Sequence, residues 1–178
     1  INRNMKYTKL FLTVLLLTAC STTPTGRTQL NLMSASQMNS MGAQSFEEMK
    51  KKIKIDRSAK NNNIVKCVSE KLLTAIGEDT RQWEIVVFED SSPNAFALPG
   101  NKIGVHTGML SIVANQHQLA AVIGHEIAHV ESNHGNERVS QNMAVQGGLM
   151  AASIYFGSTS EKNQMIMAGL GLGAQVGV

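Results

Sequence analysis

A chain of 178 residues suits one domain, and a hydrophobic content of 43% is enough to build a buried core. Arg3, Lys6 and Lys9 lie at the N-terminal end, where there is no Asp or Glu, and they account for the formal net charge of +3. The rest of the chain is balanced in charge, which gives no reason to expect a nucleic-acid partner.

Residues 1–19 have the pattern of a bacterial lipoprotein signal peptide. Lys6 and Lys9 precede an apolar run from Leu10 to Ala19, which is too short to cross a bilayer but typical of the hydrophobic part of a signal peptide. The run ends in Leu-Thr-Ala-Cys, which resembles a lipobox, so Cys20 is predicted to be lipidated and to become the mature N-terminus. The alternative is an ordinary cleaved signal peptide in which Cys20 has no role.

Lipidation of Cys20 would attach the protein to a membrane, because each buried methylene of an acyl chain contributes about 0.8 kcal/mol. Ser21 rather than Asp follows the cysteine, which by the sorting rule of bacterial lipoproteins favours the outer membrane, facing the periplasm. Residues 20–31 are rich in Ser, Thr, Pro and Gly and are predicted to form a tether. Residues 32–178 are predicted to form a single domain.

Two helices are predicted at the start of this domain. Apolar residues at helical spacings indicate helices over residues 34–55 and 61–76, the second ended by Gly77. Cys67 falls on an apolar stripe of the second helix, so a buried free thiol is expected. The other members of that stripe are Ile64, Val68, Leu72 and Ile76.

Three strands follow the helices. Residues 83–88 contain a run of β-branched side chains that is typical of a strand. Residues 94–98 and 102–106 flank Pro99-Gly100, and this arrangement predicts a hairpin.

The strongest helix spans residues 115–133. Asn115 and Gln118 resemble a capping box at its start, and Gly135 is typical of a residue that follows a helix end. Residues 143–178 are apolar and rich in glycine, and they are predicted to be two loosely packed helices or a mobile segment. A polar stretch divides this region into pieces too short to span a membrane.

The strongest helix contains the sequence His125-Glu126-Ile127-Ala128-His129. Two histidines four residues apart differ by about 40° around a helix axis, so both imidazoles can reach one ion. Zinc prefers such ligands, and we predict one zinc ion per chain held by His125 and His129. Glu126 is predicted to be the catalytic base, which takes a proton from zinc-bound water and passes it to the leaving amine.

The remaining histidines carry less weight, and two incidental helical histidines are the alternative for the pair itself. The apolar stripe of the helix lies on a different face from His125 and His129, which favours a metal site. His134 would lie about 140° from His129 if the helix continued, so it is not expected to bind the metal. His106 and His117 are expected to be ordinary packing or surface residues, although His106 could line the cleft.

Three segments together resemble peptidase family M48, the group of the Oma and HtpX proteases, and within it a bacterial lipoprotein branch. They are residues 94–100, 103–110 and 121–130, and the resemblance covers residues 31–144. It implies an α+β fold of the gluzincin type, mostly helical, in which a zinc-binding active-site helix packs on a small antiparallel sheet.

The resemblance also implies that the strand at 94–98 runs beside the cleft. A peptide could add to such an edge by backbone hydrogen bonds, with little sequence preference. Asn94, Ala95, Phe96 and Ala97 are therefore predicted to bind substrate, the alternative being that this hairpin is only scaffold.

One expected feature of the family is missing from the sequence. Its third zinc ligand is a Glu in a Glu-x-x-Ala-Asp motif on a later helix, and no such motif occurs. Glu131 and Glu137 are poorly placed, and Glu161 is the only conceivable substitute. We therefore expect a chain truncated at its C-terminus, with the third ligand beyond Val178, so that the fragment alone binds zinc weakly and could be inactive.

These features predict a zinc-dependent metalloendopeptidase that hydrolyses misfolded cell-envelope proteins. Its expected partners are a polypeptide substrate and the membrane reached by the lipid on Cys20, with the outer-membrane assembly machinery as a further candidate. The alternative function is that of a catalytically inactive, peptidase-like lipoprotein that acts as a chaperone or assembly factor for outer-membrane proteins.

Overall fold

The computed structural model describes residues 20–22 and 26–156. The predicted signal peptide, the side chain of Cys20, and residues 157–178 with Glu161 lie outside this description. In chain order the elements are β1 (Cys20–Thr22), β2 (Thr28–Leu30), α1 (Ala35–Lys52), α2 (Ala59–Ala75), a 3-10 turn (Thr80–Gln82), β3 (Glu84–Phe88), β4 (Ala95–Leu98), β5 (Lys102–His106), α3 (Thr107–Ile112), α4 (Gln116–Glu131) and α5 (His134–Phe156).

The first two predicted helices are confirmed, and each begins at a serine cap. The Gln37 backbone N–H donates to Ser34 Oγ while the Ser34 backbone N–H donates to Gln37 Oε1, which closes a capping box on α1. Helix α2 begins at Ala59, two residues earlier than predicted, and is capped by Ser58, whose side chain accepts from the Asn61 backbone N–H. Gly77 follows α2 with a φ of 83°, a conformation that glycine adopts at little cost.

The three-stranded sheet has the order β3-β5-β4. The predicted hairpin is confirmed, because β4 pairs antiparallel with β5. The prediction of a purely antiparallel sheet is wrong, since β3 pairs with β5 in parallel. Strand β4 does not pair with β3, because β5 lies between them. Since β5 is antiparallel to β4 and parallel to β3, β4 runs opposite to both of the other strands.

Helices cover both faces of this sheet. On one face, α2 and α4 enclose the larger core, made by Val65, Val68, Leu73, Trp83, Val87, Ala95, Ile103, Val105, Leu119, Ile123 and Ile127. On the other face, Phe46 of α1 packs against Val86 and Phe88 of β3. This alternation of Val86, Val87 and Phe88 between two cores is the period-2 pattern of a strand buried on both sides.

Cys67 does not lie in the core, so the prediction of a buried thiol is wrong. The thiol is exposed, as are Ile64 and Ile76 of the predicted stripe. Val68 of the predicted stripe is buried, but it shares the buried side of α2 with Val65 and Leu73, which were not in that stripe. Apolar residues occupy several neighbouring faces of this helix, so spacing alone could not select the face that packs.

Two short strands lie within the segment predicted as a tether. Strand β1 pairs antiparallel with β2, and the residues that follow bind to α5. The described part of the predicted apolar region, residues 143–156, belongs to one helix, α5. Within residues 20–22 and 26–156, no helix combines the length and apolarity needed to cross a membrane.

Candidate active site

Helix α4 has the cap and the buried face that the sequence predicts. Asn115 Oδ1 accepts from the backbone N–H groups of His117 and Gln118. Gln118 Oε1 accepts from the backbone N–H of Ala114 rather than from that of the cap residue, so the capping box is shifted by one residue. Leu119, Ile123 and Ile127 are buried against the sheet, which leaves the histidine face of the helix turned away from the core.

His125 and His129 meet on that face. Their Nε2 atoms are 2.9 Å apart, and the ring centroids are 4.4 Å apart with an interplanar angle of 85°. Burial, followed by the charge of His125, lowers the pKa of His129 from its ordinary value. A lowered pKa favours the neutral imidazole, which is the form that binds a metal.

This pair suits part of a zinc site. A tetrahedral zinc with Zn–N bonds of about 2.0–2.1 Å holds two ligand nitrogens about 3.3 Å apart, so the observed Nε2–Nε2 distance needs to open only slightly. Among the described side chains, no group of three His, Cys, Asp or Glu residues could complete the site. Glu131 is exposed at the end of α4, and Glu137 is buried in a salt bridge with Arg27.

Glu126 lies beside the pair and faces a cleft of about 440 Å³. The cleft is walled by α1, by the end of β4 with the turn that follows it, and by the junction of α4 and α5. Its lining residues are Ala35, Met38, Asn39, Ala97, Leu98, Pro99, Glu126, His129, Val130, Asn133, His134, Gly135, Asn136 and Arg138. A carboxylate and an imidazole therefore share one open space that is large enough for a few peptide residues.

Of the four residues predicted to bind substrate, only Ala97 lines this cleft. Ala95 is buried in the core, and Phe96 packs against Phe88 with ring centroids 6.1 Å apart. Asn94 precedes the strand, and its carbonyl accepts from the His106 backbone N–H. Leu98 and Pro99, which were not among the predicted residues, continue the wall beyond Ala97.

Strand β4 is an edge strand of the sheet. The bond from the His106 backbone N–H to the Asn94 carbonyl fixes the alternation of the β4–β5 ladder, so Phe96 and Leu98 direct their backbone groups toward β5. The backbone N–H and C=O of Ala97 then point to the open edge. This is the geometry that a peptide strand needs in order to pair with β4.

His134 is the site residue that the sequence analysis misplaced. Its Nδ1 lies 2.6 Å from Nδ1 of His129, because the chain does not continue as one helix. Helix α4 ends at Glu131, and Asn133, with a φ of 55°, lies in the break before α5 begins at His134. Asparagine tolerates this left-handed conformation better than most residues, and that was the available signal.

The other two histidines lie outside the cleft lining. His106 is buried, its Nδ1 lies 2.9 Å from Ser92 Oγ, and its ring contacts Phe88 and Phe96. His117 is exposed on the first turn of α4. His106 thus packs inside the fold and His117 lies at its surface, which are the positions expected of them.

Comparison with known proteins gives one family. The model of "Peptidase family M48" matches residues 59–177. The mitochondrial metalloendopeptidase OMA1 of Schizosaccharomyces pombe is 37% identical over 78 residues, which are 44% of this chain and 23% of that protein.

Two further relatives extend the comparison to human and bacterial proteins. The mitochondrial metalloendopeptidase OMA1 of Homo sapiens is 31% identical over 121 residues, 64% of this chain and 23% of its own length. A putative beta-barrel assembly-enhancing protease of Vibrio cholerae is 27% identical over 73 residues, 41% of this chain and 15% of its own. The chain thus spans less than a quarter of the length of these relatives.

Proposed function

The chain belongs to peptidase family M48, and we propose that it is a zinc-dependent endopeptidase in which His125 and His129 hold the metal and Glu126 is the catalytic base. The observation that carries the proposal is the convergence of the two Nε2 atoms, 2.9 Å apart, together with the carboxylate of Glu126, which lines the same cleft as His129. The third ligand is not present among the described side chains.

Bound zinc would supply a Lewis acid that polarises the scissile carbonyl and makes water a stronger acid at neutral pH. Glu126 takes one proton from the attacking water as the new C–O bond forms. It then delivers that proton to the amide nitrogen as the C–N bond breaks, so that the products are a carboxylic acid and an amine. The half-buried position of Glu126 leaves it open to the cleft, where both transfers take place.

The substrate is proposed to be an unfolded or misfolded polypeptide. Support comes from the open edge of β4, where the backbone groups of Ala97 can pair with any extended chain and so impose little sequence preference. A cell-envelope substrate is proposed because of the lipobox-like sequence at Cys20 and the beta-barrel assembly-enhancing protease among the relatives.

The test is the Glu126→Gln substitution in the full-length protein. We expect cleavage of an unfolded substrate to be lost while the zinc content stays the same, because the amide cannot accept the proton and Glu126 is not a ligand. Glu131→Gln is the matched control, since Glu131 is exposed at the end of the same helix and should leave cleavage unchanged. Cleavage that survives in Glu126→Gln would refute the mechanism.

The same variant separates an endopeptidase from the alternative function, that of a catalytically inactive chaperone or assembly factor. A chaperone or assembly factor would bind unfolded polypeptide without cleaving it, and its binding would be indifferent to a chelator and to Glu126→Gln.

We also propose that a lipid on Cys20 attaches the protein to the outer membrane. The protein would then face the periplasm and lie near the machinery that assembles outer-membrane proteins. The Cys20→Ser variant should take up no radiolabelled fatty acid and should not be recovered in the membrane fraction. A wild-type protein that takes up no labelled fatty acid would contradict this part of the proposal.

A further inference from the structure

We propose that His134 is a positioning residue, which accepts a hydrogen bond from His129 Nδ1–H and thereby keeps His129 Nε2 free to bind the metal. The inference rests on the proposed function, because it concerns the metal site. It gives a role to a residue that lies five positions beyond the metal-binding pentapeptide and that the proposed mechanism does not use.

The contacts among the three rings leave two possible proton arrangements. His125 Nε2 and His129 Nε2 are 2.9 Å apart, and His129 Nδ1 and His134 Nδ1 are 2.6 Å apart. A neutral imidazole has one donor and one acceptor nitrogen. Either His129 donates from Nδ1 to His134 and accepts at Nε2, or His134 donates to His129 Nδ1 and the proton of His129 is on Nε2.

Only the first arrangement is compatible with a metal at Nε2 of His129. The second places a proton on the nitrogen that has to coordinate. Histidine ligands of metals commonly donate their other N–H to a fixed acceptor, which sets the tautomer and the ring orientation. That acceptor is usually a carboxylate or a carbonyl, and here the geometry offers the imidazole of His134.

The position of His134 is well fixed by its surroundings. Asn133, with its φ of 55°, separates α4 from α5 immediately before it. The first turns of α5 are then held by the N-terminal segment. Asn136 Nδ2 donates to the Met33 carbonyl at 2.7 Å, the Leu32 backbone N–H donates to Ser140 Oγ at 2.7 Å, and Arg27 forms two hydrogen bonds with Glu137. These contacts tie the start of α5 to residues on both sides of β2.

His134 is not placed to be a ligand itself. It contacts His129 through Nδ1, whereas His129 faces His125 through Nε2, on the opposite side of the ring. Among the described residues, His134 does not form a group of three metal-binding side chains with any neighbours. An ordinary packing role is also a poor explanation, because both imidazoles line an open cleft rather than the core.

The experiment measures zinc affinity of the full-length protein by competition with a chromogenic chelator. His134→Leu removes the acceptor and should weaken zinc binding about 10- to 100-fold. His134→Asn keeps a short acceptor oxygen and should restore affinity to within a few-fold of the wild type. His117→Leu is the matched control on exposed His117 and should bind zinc as the wild type does.

A spectroscopic measurement on the wild type avoids the risk that a variant misfolds. A long-range proton–nitrogen NMR spectrum of the zinc-loaded protein should show the proton of His129 on Nδ1 and that of His134 on Nε2. A proton on His134 Nδ1, or equal zinc affinity for His134→Leu and the wild type, would overturn the inference and leave the proposed function intact. A full-length wild-type protein that binds no zinc would overturn both.

Discussion

Replacement of Gly42 by alanine should destabilise the protein, although alanine is the better helix former. Gly42 lies inside α1, where the exchange alone would favour folding by about 1 kcal/mol. A Cβ atom at this position would, however, lie 2.0 Å from the carbonyl oxygen of Pro99. That oxygen belongs to the backbone of the turn after β4, so the clash cannot be relieved by rotating a side chain.

The magnitude follows from these two opposing effects. Overpacking of this kind costs about 1–3 kcal/mol, and a contact of 2.0 Å requires a backbone shift that places the cost near the upper limit. Subtracting the gain in helix propensity leaves a net loss of about 2 kcal/mol in the free energy of unfolding. The shifted turn should also widen the cleft, because Pro99 is part of its wall.

Urea denaturation followed by circular dichroism measures this loss. The matched control is Gly124→Ala in α4, where the added Cβ would have its nearest neighbour, a Leu72 methyl carbon, at 3.8 Å. Because that contact is of ordinary length, Gly124→Ala should be neutral or stabilise by up to about 1 kcal/mol. If Gly42→Ala were as stable as Gly124→Ala, the close packing of α1 on the hairpin turn would be refuted.

Two further predictions concern charge and backbone conformation. Burial raises the pKa of Glu84, but hydrogen bonds from Lys50 and Lys102 outweigh this effect and hold the pKa below its ordinary value. The stabilisation is therefore present above the unfolded pKa of about 4.3 and is lost as the pH falls through the folded pKa. Urea midpoints should show a stability difference between the wild type and Glu84→Gln that is constant above about pH 5 and shrinks below it, and a difference that grows on acidification would contradict the assignment. At Asn133, where φ is 55°, glycine should be tolerated while valine should cost about 1–2 kcal/mol, and equal stability of the two variants would mean that residue 133 is not in the left-handed conformation.

The parts of the structure that were predictable from sequence depend on neighbouring residues. Helix α4 was predictable because its cap at Asn115, its apolar stripe and its histidine pair all lie within a few turns of one another. The β4–β5 hairpin was predictable for the same reason, since Pro99-Gly100 marks the turn and the strands on either side are adjacent in sequence.

The parts that were not predictable depend on contacts between distant segments. The sequence of residues 84–88 does not indicate that β3 pairs with β5 in parallel rather than with β4. The exposure of Cys67 depends on which side of α2 meets α4. The position of His134 beside His129 was not predictable, because it depends on one left-handed residue, Asn133, that interrupts the helix between them.

The central claim is that His125 and His129 jointly hold a zinc ion beside Glu126. Anomalous X-ray diffraction from crystals of the full-length protein, measured on both sides of the zinc absorption edge, tests it most directly. We predict a single strong peak between the Nε2 atoms of the two histidines, which disappears in His129→Ala. Zinc-replete crystals with no peak between these rings, or with the peak elsewhere in the molecule, would contradict the claim.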